Sequence, residues 1–305
     1  MNWNLVGTVT PSDVGLSQYE LSWMQMPTAY EIGHSSFRVY FASRHGEKPQ
    51  ICSVDLTLDD NANQIVQVSN VRAGLLKPGT RTWDVDGVYP SSLFTLPSGQ
   101  KILYTIGWVT GAVDPIFISR IGAAYIDKNG FVEQYLELPV LDLTKVEPFL
   151  VSSPTVRMNG LGYEMLYVSG ESWTATKSGP RSEYTIRRAL SLDPFNWSER
   201  NLPAVSKPIV IDHLARPAFM HDQSDKILMS FTSQDDPNYS LNAGLRVKGA
   251  EYPWVFAPPF ELSSEAGEKA RAYPNVVLTK SARILFVNGA DRGKQGFSIF
   301  NLGDE

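Results

Sequence analysis

The sequence has a single cysteine, Cys52, among its 305 residues, so no intramolecular disulfide can form. Cys52 lies in an apolar segment, where a free cysteine usually packs as a small buried hydrophobe. The first residues, Met1 to Gly7, also lack the basic region and apolar run of a secretory signal. Because disulfide-poor chains are typical of reducing compartments, we expect a cytoplasmic protein.

Long apolar runs and clusters of one charge are also missing. No segment approaches the roughly 18 consecutive apolar residues that a membrane-spanning helix needs. A net charge of −5 without any basic run argues against nucleic acids and anionic membranes as partners. His34, His45 and His221 show no metal-ligand spacing, and neither a metal nor another cofactor is expected. The remaining expectation is a small-molecule ligand, and the oligomeric state stays open.

What the sequence does contain is a repeat. The same order recurs five times: a few polar residues, a proline, a short apolar strand, a turn and an aromatic-rich strand. The strand-opening prolines are Pro27, Pro90, Pro154, Pro217 and Pro274, which lie 63, 64, 63 and 57 residues apart by their numbers. Self-similarity at a fixed period indicates a repeat architecture. The sequence therefore predicts five copies of one sheet.

Each copy has room for four strands, which is the size of a propeller blade. After Gly296 the last copy supplies one further strand and the chain then ends, so this copy lacks an outer strand. The first residues, 2–9, have the right pattern to supply it, and an open sheet edge is usually paired or covered. We expect residues 1–305 to form one all-β domain, a five-bladed β-propeller with four-stranded antiparallel blades. The N-terminal strand is expected to close the ring in blade five.

Several segments resemble a known group of proteins. The motifs are Trp83-Asp-Val-Asp-Gly-Val-Tyr-Pro-Ser91, Leu103-Tyr-Thr-Ile-Gly-Trp108, Glu147-Pro-Phe-Leu-Val-Ser-Ser-Pro154, Tyr167-Val-Ser-Gly-Glu-Ser-Trp173, Ala215-Arg-Pro217 and the stretch from Tyr273 to Phe297. They resemble the five-bladed β-propeller proteins related to arabinanase, invertase and levansucrase glycosidases. The nearest branch is the glycosidase-like proteins of bacterial surface-polysaccharide loci. The resemblance covers nearly the whole chain and implies a role with sugars, although fold alone does not fix activity.

The resemblance also implies a site at the mouth of a central funnel, where each inner strand begins. Related glycosidases carry a carboxylate there in each of the first three blades, because glycoside cleavage usually needs two carboxyl groups in opposite protonation states. Here the residues before the five prolines are Met26, Tyr89, Ser153, Arg216 and Tyr273. The three-acid arrangement is therefore absent, and a conventional hydrolase mechanism is in doubt.

The candidate catalytic residues are Asp86, just before the second inner strand, and Glu268, six residues before Pro274. Asp86 could equally cap an Asp-Gly turn, and Glu268 could be a solvated loop acid. Arg216 and Arg271 suit a carboxylate or phosphate, but could instead form structural ion pairs with Asp212 or Glu268. His213 could be an acid or base, a metal ligand or a structural histidine.

The other candidate ligand-binding residues are acids, aromatics and hydrogen-bonding groups near predicted strand ends. They are Asp84, Tyr89, Trp108, Ser153, Glu171, Trp173, Asp235, Tyr273, Asn288 and Asp291. The aromatic rings could stack on apolar sugar faces or fill the core. Asn288 and Asp291 could bind sugar hydroxyls, but the glycines around them are equally consistent with a simple tight turn.

Two function classes follow. One is a carbohydrate-active enzyme, a glycosidase or a glycosyl-transferring enzyme, acting in bacterial polysaccharide metabolism. The other is a protein that binds a sugar or nucleotide-sugar and has lost the chemistry. Two carboxyl groups facing each other at roughly 5–9.5 Å would favour the enzyme. A funnel lined by Arg, Tyr and Ser would favour the binding protein.

Overall fold

The computed structural model describes residues 3–111, 116–160, 162–176, 179–206, 211–220, 226–233, 240–245, 254–256, 272–280 and 282–302. Strand is the dominant element in these ranges, and helix is limited there to a short 3₁₀ helix, Leu16–Tyr19, before the first sheet and the four-residue segment Ala290–Gly293. The predicted all-β class is confirmed. Across the same ranges, no helix has the length and apolar character to cross a membrane.

The first sheet follows the N-terminal strand β1, Trp3–Val9. Its strands are β2 (Ser22–Gly33), β3 (Ser36–His45), β4 (Lys48–Leu58), β5 (Ile65–Val68) and β6 (Arg72–Leu76). The order is β2-β3-β4-β5, and β6 also pairs with β4, which makes five strands where the repeat predicts four. The reason is the length of β4, because its last residues pair with β5 while Ile51 and Ser53 pair with β6.

The second sheet has four strands in the antiparallel order β10-β9-β8-β7. They are β7 (Gly87–Thr95), β8 (Lys101–Thr110), β9 (Phe117–Ile126) and β10 (Val132–Tyr135). Strand β8 is buried from Ile102 to Gly107, which explains why its sequence reads as a continuous apolar run. The outermost strand, β10, is short and half exposed, as suits a sheet edge.

The third sheet connects nine strands. They are β11 (Val151–Asn159), β12 (Gly162–Thr176), β13 (Gly179–Ser191), β14 (Glu199–Pro203), β15 (Val205–Ser206), β16 (Ile211–Phe219), β17 (Lys226–Ser233), β18 (Ser240–Leu245) and β19 (Trp254–Phe256). Strands β11–β14 and β16–β19 each pair in sequence order, and the two groups meet at the parallel pair Tyr184–His213. This narrow junction separates two four-stranded groups.

The fourth sheet combines the two ends of the described chain. It contains β20 (Ala272–Leu278), β21 (Arg283–Asn288) and β22 (Phe297–Leu302), followed by β1 at its edge. Strand β1 pairs antiparallel with β22, from Trp3 opposite Leu302 to Val9 opposite Phe297. The Trp3 side chain is fully buried, so the N-terminal strand contributes both backbone pairing and core to this sheet.

The first strands of the repeats pack beside one another. Strand β2 contacts β7 and β20, β11 contacts β7 and β16, and β16 contacts β20. Polar ties reinforce these contacts, for example the Ser91 hydroxyl, which donates to the Pro154 carbonyl at 2.9 Å. Apolar side chains fill the space between sheets, and Phe37 meets Phe286 edge-on with ring centroids 5.8 Å apart. This packing brings the residues before the repeated prolines to one place.

Candidate functional site

Each strand-opening proline interrupts the pairing of its strand. The strand registers shift between Gln25 and Thr28, Pro90 and Ser92, Ser152 and Thr155, Ala215 and Ala218, and Ala272 and Asn275. Proline has no N–H to donate to a neighbouring strand, so an irregularity at this position is expected. Such irregularities re-aim a side chain, and they are common beside binding sites.

Four of the residues before these prolines adopt left-handed backbone. The φ angles are 57° at Met26, 48° at Ser153, 44° at Arg216 and 61° at Tyr273. For residues other than glycine this conformation costs about 1–2 kcal/mol each. The same strain at equivalent points of the repeat marks this end of the strands as the candidate site.

A cavity of about 410 Å³ opens at this end, within the size range of ordinary small-molecule sites. Its lining combines aromatic, hydroxyl, amide and guanidinium groups with apolar side chains. The described lining residues are Trp23, Gln25, Met26, Arg44, Tyr89, Ile106, Trp108, Phe117, Ser119, Leu150, Ser152, Ser153, Val168, Tyr184, Ala215, Tyr273 and Arg292. Four of the predicted site residues are thus brought together here: Tyr89, Trp108, Ser153 and Tyr273.

The described lining contains hydrogen-bonding groups but neither Asp nor Glu. Burial raises the pKa of Tyr89 to about 12, so its hydroxyl stays protonated at neutral pH. The Tyr89 hydroxyl accepts a hydrogen bond from Arg44 Nη2 at 3.1 Å. The nearby Arg44 Nε donates to the side-chain oxygen of Gln25 at 3.2 Å. This part of the cavity can therefore donate hydrogen bonds but offers no group to take up a proton near neutrality.

Asp86 lies beside the cavity and outside its described lining. Its Oδ2 accepts a hydrogen bond from the backbone N–H of Thr110 at 2.8 Å, and Lys48 Nζ lies 3.7 Å from Oδ1. The hydrogen bond from Thr110 lowers the pKa of Asp86 against the opposing effect of desolvation, and Lys48 lowers it further. Asp86 is therefore a carboxylate at neutral pH. Its catalytic role stays a prediction, while these contacts give it a turn-stabilising one.

The other predicted acids in the described chain have local partners. Asp84 is buried and accepts hydrogen bonds from the backbone N–H groups of Gly79 and Arg81 at 3.2 and 2.9 Å. Glu171 accepts a hydrogen bond from Arg187 at 2.8 Å, and Asp291 pairs with Lys294 at 3.3 Å. None of the three is among the described lining residues, and their ligand contacts stay predictions.

His213 and Trp173 each contact an aromatic residue that lines the cavity. The His213 ring stacks on Tyr184 with centroids 4.2 Å apart, and Nδ1 lies 2.9 Å from the Thr232 hydroxyl while Nε2 meets the Ser182 carbonyl. A carbonyl can only accept, so Nε2 carries a proton in this arrangement. Trp173 meets Phe117 edge-on at 5.8 Å. Both side chains support residues that line the cavity.

Arg216 lies beneath the cavity and is 1% exposed. Its guanidinium donates to the carbonyls of Pro90 and Pro27, both at 3.1 Å, and to the Thr28 hydroxyl at 2.8 Å. It thus joins three first strands, β2, β7 and β16. Burial lowers the pKa of Arg216 to about 9, which still leaves it charged at neutral pH. The predicted ion pair with Asp212 cannot be placed, because that side chain lies outside the described residues.

Asn288 is fully buried at the end of β21. Its Oδ1 accepts a hydrogen bond from the Met26 backbone N–H at 2.7 Å, and its Nδ2 donates to the Arg292 carbonyl at 3.3 Å. It therefore holds two lining residues in place and is itself not among them.

Three predicted site residues, Glu268, Asp235 and Arg271, lie outside the described residues. Within the described ranges, no three His, Cys, Asp or Glu side chains cluster as a metal ion would require.

Sequence reasoning missed much of the cavity, notably Trp23, Arg44, Phe117, Tyr184 and Arg292. For Arg44 a signal was available. Arg44 lies 17 residues after Pro27, and Trp108, which was predicted, lies 18 residues after Pro90. The two therefore occupy nearly the same position in the repeat. Trp23 had a signal too, since it lies four residues before Pro27, as the predicted Asp86 and His213 lie four residues before Pro90 and Pro217. Arg292 lies in a local irregularity with φ of 58°.

Comparison with known sequences gives relatives without an assigned activity. No protein-family model matches the chain. Two uncharacterized proteins of Mycobacterium tuberculosis, from two strains, are each 29% identical over 206 residues. The match covers 66% of this chain and 65% of the length of each relative.

Comparison with solved structures is more informative about the fold. A thermostable family-43 glycoside hydrolase aligns with a TM-score of 0.64 at 12% identity, over 93% of this chain and 91% of that one. An α-L-arabinofuranosidase from Lactobacillus brevis aligns at 0.62 and 12% identity, over 91% and 90%. A family-32 β-fructofuranosidase from Bombyx mori aligns at 0.64 and 14% identity, over 98% of this chain and 62% of that one. The resemblance seen in the sequence motifs is thereby confirmed for the fold, which is the β-propeller-like fold of glycoside hydrolases of families 43 and 32.

Proposed function

We propose that the chain is a carbohydrate-active protein that binds a sugar in its cavity without the paired carboxyl groups of a glycosidase. The observation that carries this proposal is the composition of the cavity. Tyr, Trp, Phe, Ser, Gln and Arg line it, and Asp and Glu are absent from its described lining. The likeness to glycoside hydrolases supports the choice of a sugar as the ligand class.

The two kinds of lining group suit the two kinds of sugar surface. Trp108, Phe117 and Tyr184 line the cavity, with Trp108 and Phe117 edge-on at 6.4 Å. Aromatic faces are large and rigid, so they can cover the apolar C–H face of a sugar ring. Ser152, Ser153 and other polar lining groups can exchange hydrogen bonds with its hydroxyls.

The positions of the described acids argue against ordinary hydrolysis. Glycoside cleavage usually needs one protonated and one ionised carboxyl group flanking the bond. The pKa of Asp86 is lowered, first by the hydrogen bond from Thr110, so Asp86 is poorly suited to donate a proton near neutrality. The enzyme alternative, with Asp86 and Glu268 as its carboxyl groups, is kept as an outcome of the experiment below.

The proposal includes a five-bladed ring of four-stranded blades. Its support is the cyclic order in which the five first strands contact one another, β2-β7-β11-β16-β20 and back to β2. In this arrangement β1 supplies the outer strand of the fifth blade by pairing with β22. The cavity then lies over the axis of the ring. We propose a cytoplasmic location because the single cysteine suits a reducing compartment, and the sequence resemblance supports a role in bacterial polysaccharide metabolism.

The experiment is a binding titration with a panel of neutral and charged monosaccharides, disaccharides and nucleotide-sugars. Phe117→Ala removes one of the aromatic lining residues and should weaken binding at least about tenfold. This equals a loss of about 1.4 kcal/mol of binding free energy. Phe131→Ala is the matched control, because Phe131 is half exposed and does not belong to the described lining. Binding without turnover, weakened only by the first variant, would support the proposal.

Two results would overturn it. Absence of binding across the panel would remove the sugar site. Turnover of a glycoside that Asp86→Asn abolishes would replace the binding role with the enzyme alternative.

A further inference from the structure

One side of the cavity is cationic. Arg44 and Arg292 line it, and the side chain of Gln25 joins them, accepting from Arg44 Nε at 3.2 Å and donating to the Arg292 carbonyl at 3.0 Å. Trp23 lies between two cations, with Arg44 and Lys294 each 4.9 Å from its ring centroid. We refer to Arg44, Arg292 and Lys294 as the cationic wall.

The charge of this wall is only partly balanced within the described chain. The carboxylate nearest Arg44 is that of Glu47, at 3.7 Å, whose side chain is 99% exposed. Such an exposed pair contributes little. Lys294 pairs with Asp291, whose side chain is 56% exposed. The Arg292 guanidinium makes no hydrogen bond or ion pair with any described residue, so it remains available to a ligand.

A further positive charge lies below the cavity. The partners of the Arg216 guanidinium are two carbonyls and a hydroxyl, all of them neutral. No described carboxylate pairs with it. Because Arg216 is buried, its charge is screened less than a surface charge would be. The positive potential of Arg216 therefore adds to that of the cationic wall.

The aromatic residues of the lining carry no charge. Trp108, Phe117 and Tyr184 line the cavity, and Trp173 meets Phe117 edge-on. A ligand that matches both the cationic wall and the aromatic residues needs an anionic group and a flat, uncharged body. Guanidinium groups recognise carboxylate and phosphate oxygens through paired hydrogen bonds.

We infer that the ligand of this cavity is a sugar bearing a carboxylate or phosphate group, and this inference rests on the sugar-binding function proposed above. The anionic group binds between Arg44 and Arg292, and the sugar ring lies on Trp108, Phe117 and Tyr184. The neutral counterpart of the same sugar binds far more weakly, because it offers no negative charge to the two guanidinium groups.

The test compares matched ligands by isothermal titration calorimetry. Glucose, glucuronate and glucose 6-phosphate form one series, and the galactose equivalents form a second, with inorganic phosphate as the anion alone. The charged member of a series should bind at least about tenfold more tightly than the neutral one, and the preference should shrink at high salt. Comparing glucuronate with glucose 6-phosphate decides between carboxylate and phosphate.

Three variants make the test specific. Arg292→Gln and Arg44→Gln should each lower the affinity for the charged sugar about tenfold and lower the affinity for the neutral sugar by much less. Arg283→Gln is the control, since it removes the same charge from an exposed side chain on β21. Arg44 packs on Trp23, so if Arg44→Gln lowers the melting temperature, the exposed Arg292 carries the comparison alone.

The outcomes separate this inference from the proposed function. Equal affinity for neutral and charged sugars would overturn the inference and leave the sugar site standing. A charged preference that survives in both Arg292→Gln and Arg44→Gln would also overturn it. Binding of inorganic phosphate that Arg292→Gln removes, with no sugar bound, would uphold the anion site and overturn the sugar-binding function.

Discussion

The side-chain oxygen of Asn288 accepts a hydrogen bond from the backbone N–H of Met26 at 2.7 Å. This bond connects the last sheet to the first across 262 positions of sequence. The Asn275 side chain makes a second such bond, accepting from the Ala29 N–H at 2.8 Å. Two side-chain amides therefore take the place of strand pairing between β2 and the last sheet.

Asn288→Ala should lower the free energy of unfolding by about 1–3 kcal/mol. The buried Met26 N–H would lose its partner, and the Arg292 carbonyl would keep only the hydrogen bond from Gln25. An unsatisfied buried polar group carries a penalty of this size. Urea denaturation measures the loss. Asn301→Ala, a partly buried asparagine on β22, serves as the control and should cost less. Equal losses in the two variants would show that the Met26 contact is energetically unimportant.

Strand β1 should be essential for the stability of the last sheet. Removing residues 2–9 would uncover the edge of β22 and delete the buried Trp3, so the shortened protein should melt at a lower temperature or aggregate. A finer comparison is Trp3→Ala, expected to cost about 3–5 kcal/mol, against Leu5→Ala on the same strand, where the side chain is 36% exposed. Thermal melting measures both. A truncated protein with unchanged melting and solubility would mean that β1 is dispensable.

Arg216→Met should destabilise the protein although methionine fills similar space. The carbonyls of Pro27 and Pro90 and the Thr28 hydroxyl would lose their donor, and we expect a loss of about 2 kcal/mol or more in urea denaturation. Arg283→Met, at an exposed position, should change stability by less than about 0.5 kcal/mol. If Arg216→Met were instead neutral or stabilising, relief of the buried charge would outweigh the three hydrogen bonds.

Asp86→Asn distinguishes the catalytic role predicted from sequence from the turn-stabilising role indicated by its contacts. Asp86 bonds to Thr110 and lies outside the described cavity lining. Affinity for sugar should therefore stay within about twofold of the parent, with a stability loss of at most about 1 kcal/mol. A tenfold loss of binding or turnover in a correctly folded variant would restore the catalytic assignment.

The same variant makes a pH prediction. The folded pKa of Asp86 is lowered, so its stabilising contribution is fully present above the unfolded pKa of about 3.9 and is lost as pH falls through the folded value. The stability difference between parent and Asp86→Asn should therefore shrink as the pH drops below about 4. Urea midpoints at pH 7 and pH 3 measure this. A difference that stays constant with pH would mean that the carboxylate charge is not what stabilises this turn.

Much of the fold could be read from sequence because its determinants are local. The repeated prolines mark five first strands, and each causes its register shift simply by lacking an N–H. Alternating apolar residues placed most of the strands that follow. The fifth strand of the first sheet was missed, because pairing of β6 with β4 depends on the length of β4 and not on any pattern within β6.

The candidate site was only half predictable, for a related reason. Tyr89, Ser153 and Tyr273 reach the cavity because they precede the repeated prolines, a property visible in the sequence. Asp86 is only three residues before Tyr89, yet it bonds to Thr110 on the neighbouring strand. Side-chain direction along a strand depends on register, which a change of one residue reverses.

By itself, the sequence determined the all-β class, the repeat, the likeness to glycosidase propellers and the pre-proline residues at the cavity, because periodicity and proline chemistry act within a few residues. The tertiary structure alone decided how charge is distributed around the cavity. Arg44 and Arg292 stand 248 residues apart in the chain by their numbers and meet through Gln25. Their meeting requires the first and last sheets to pack side by side, a long-range contact that no local pattern encodes.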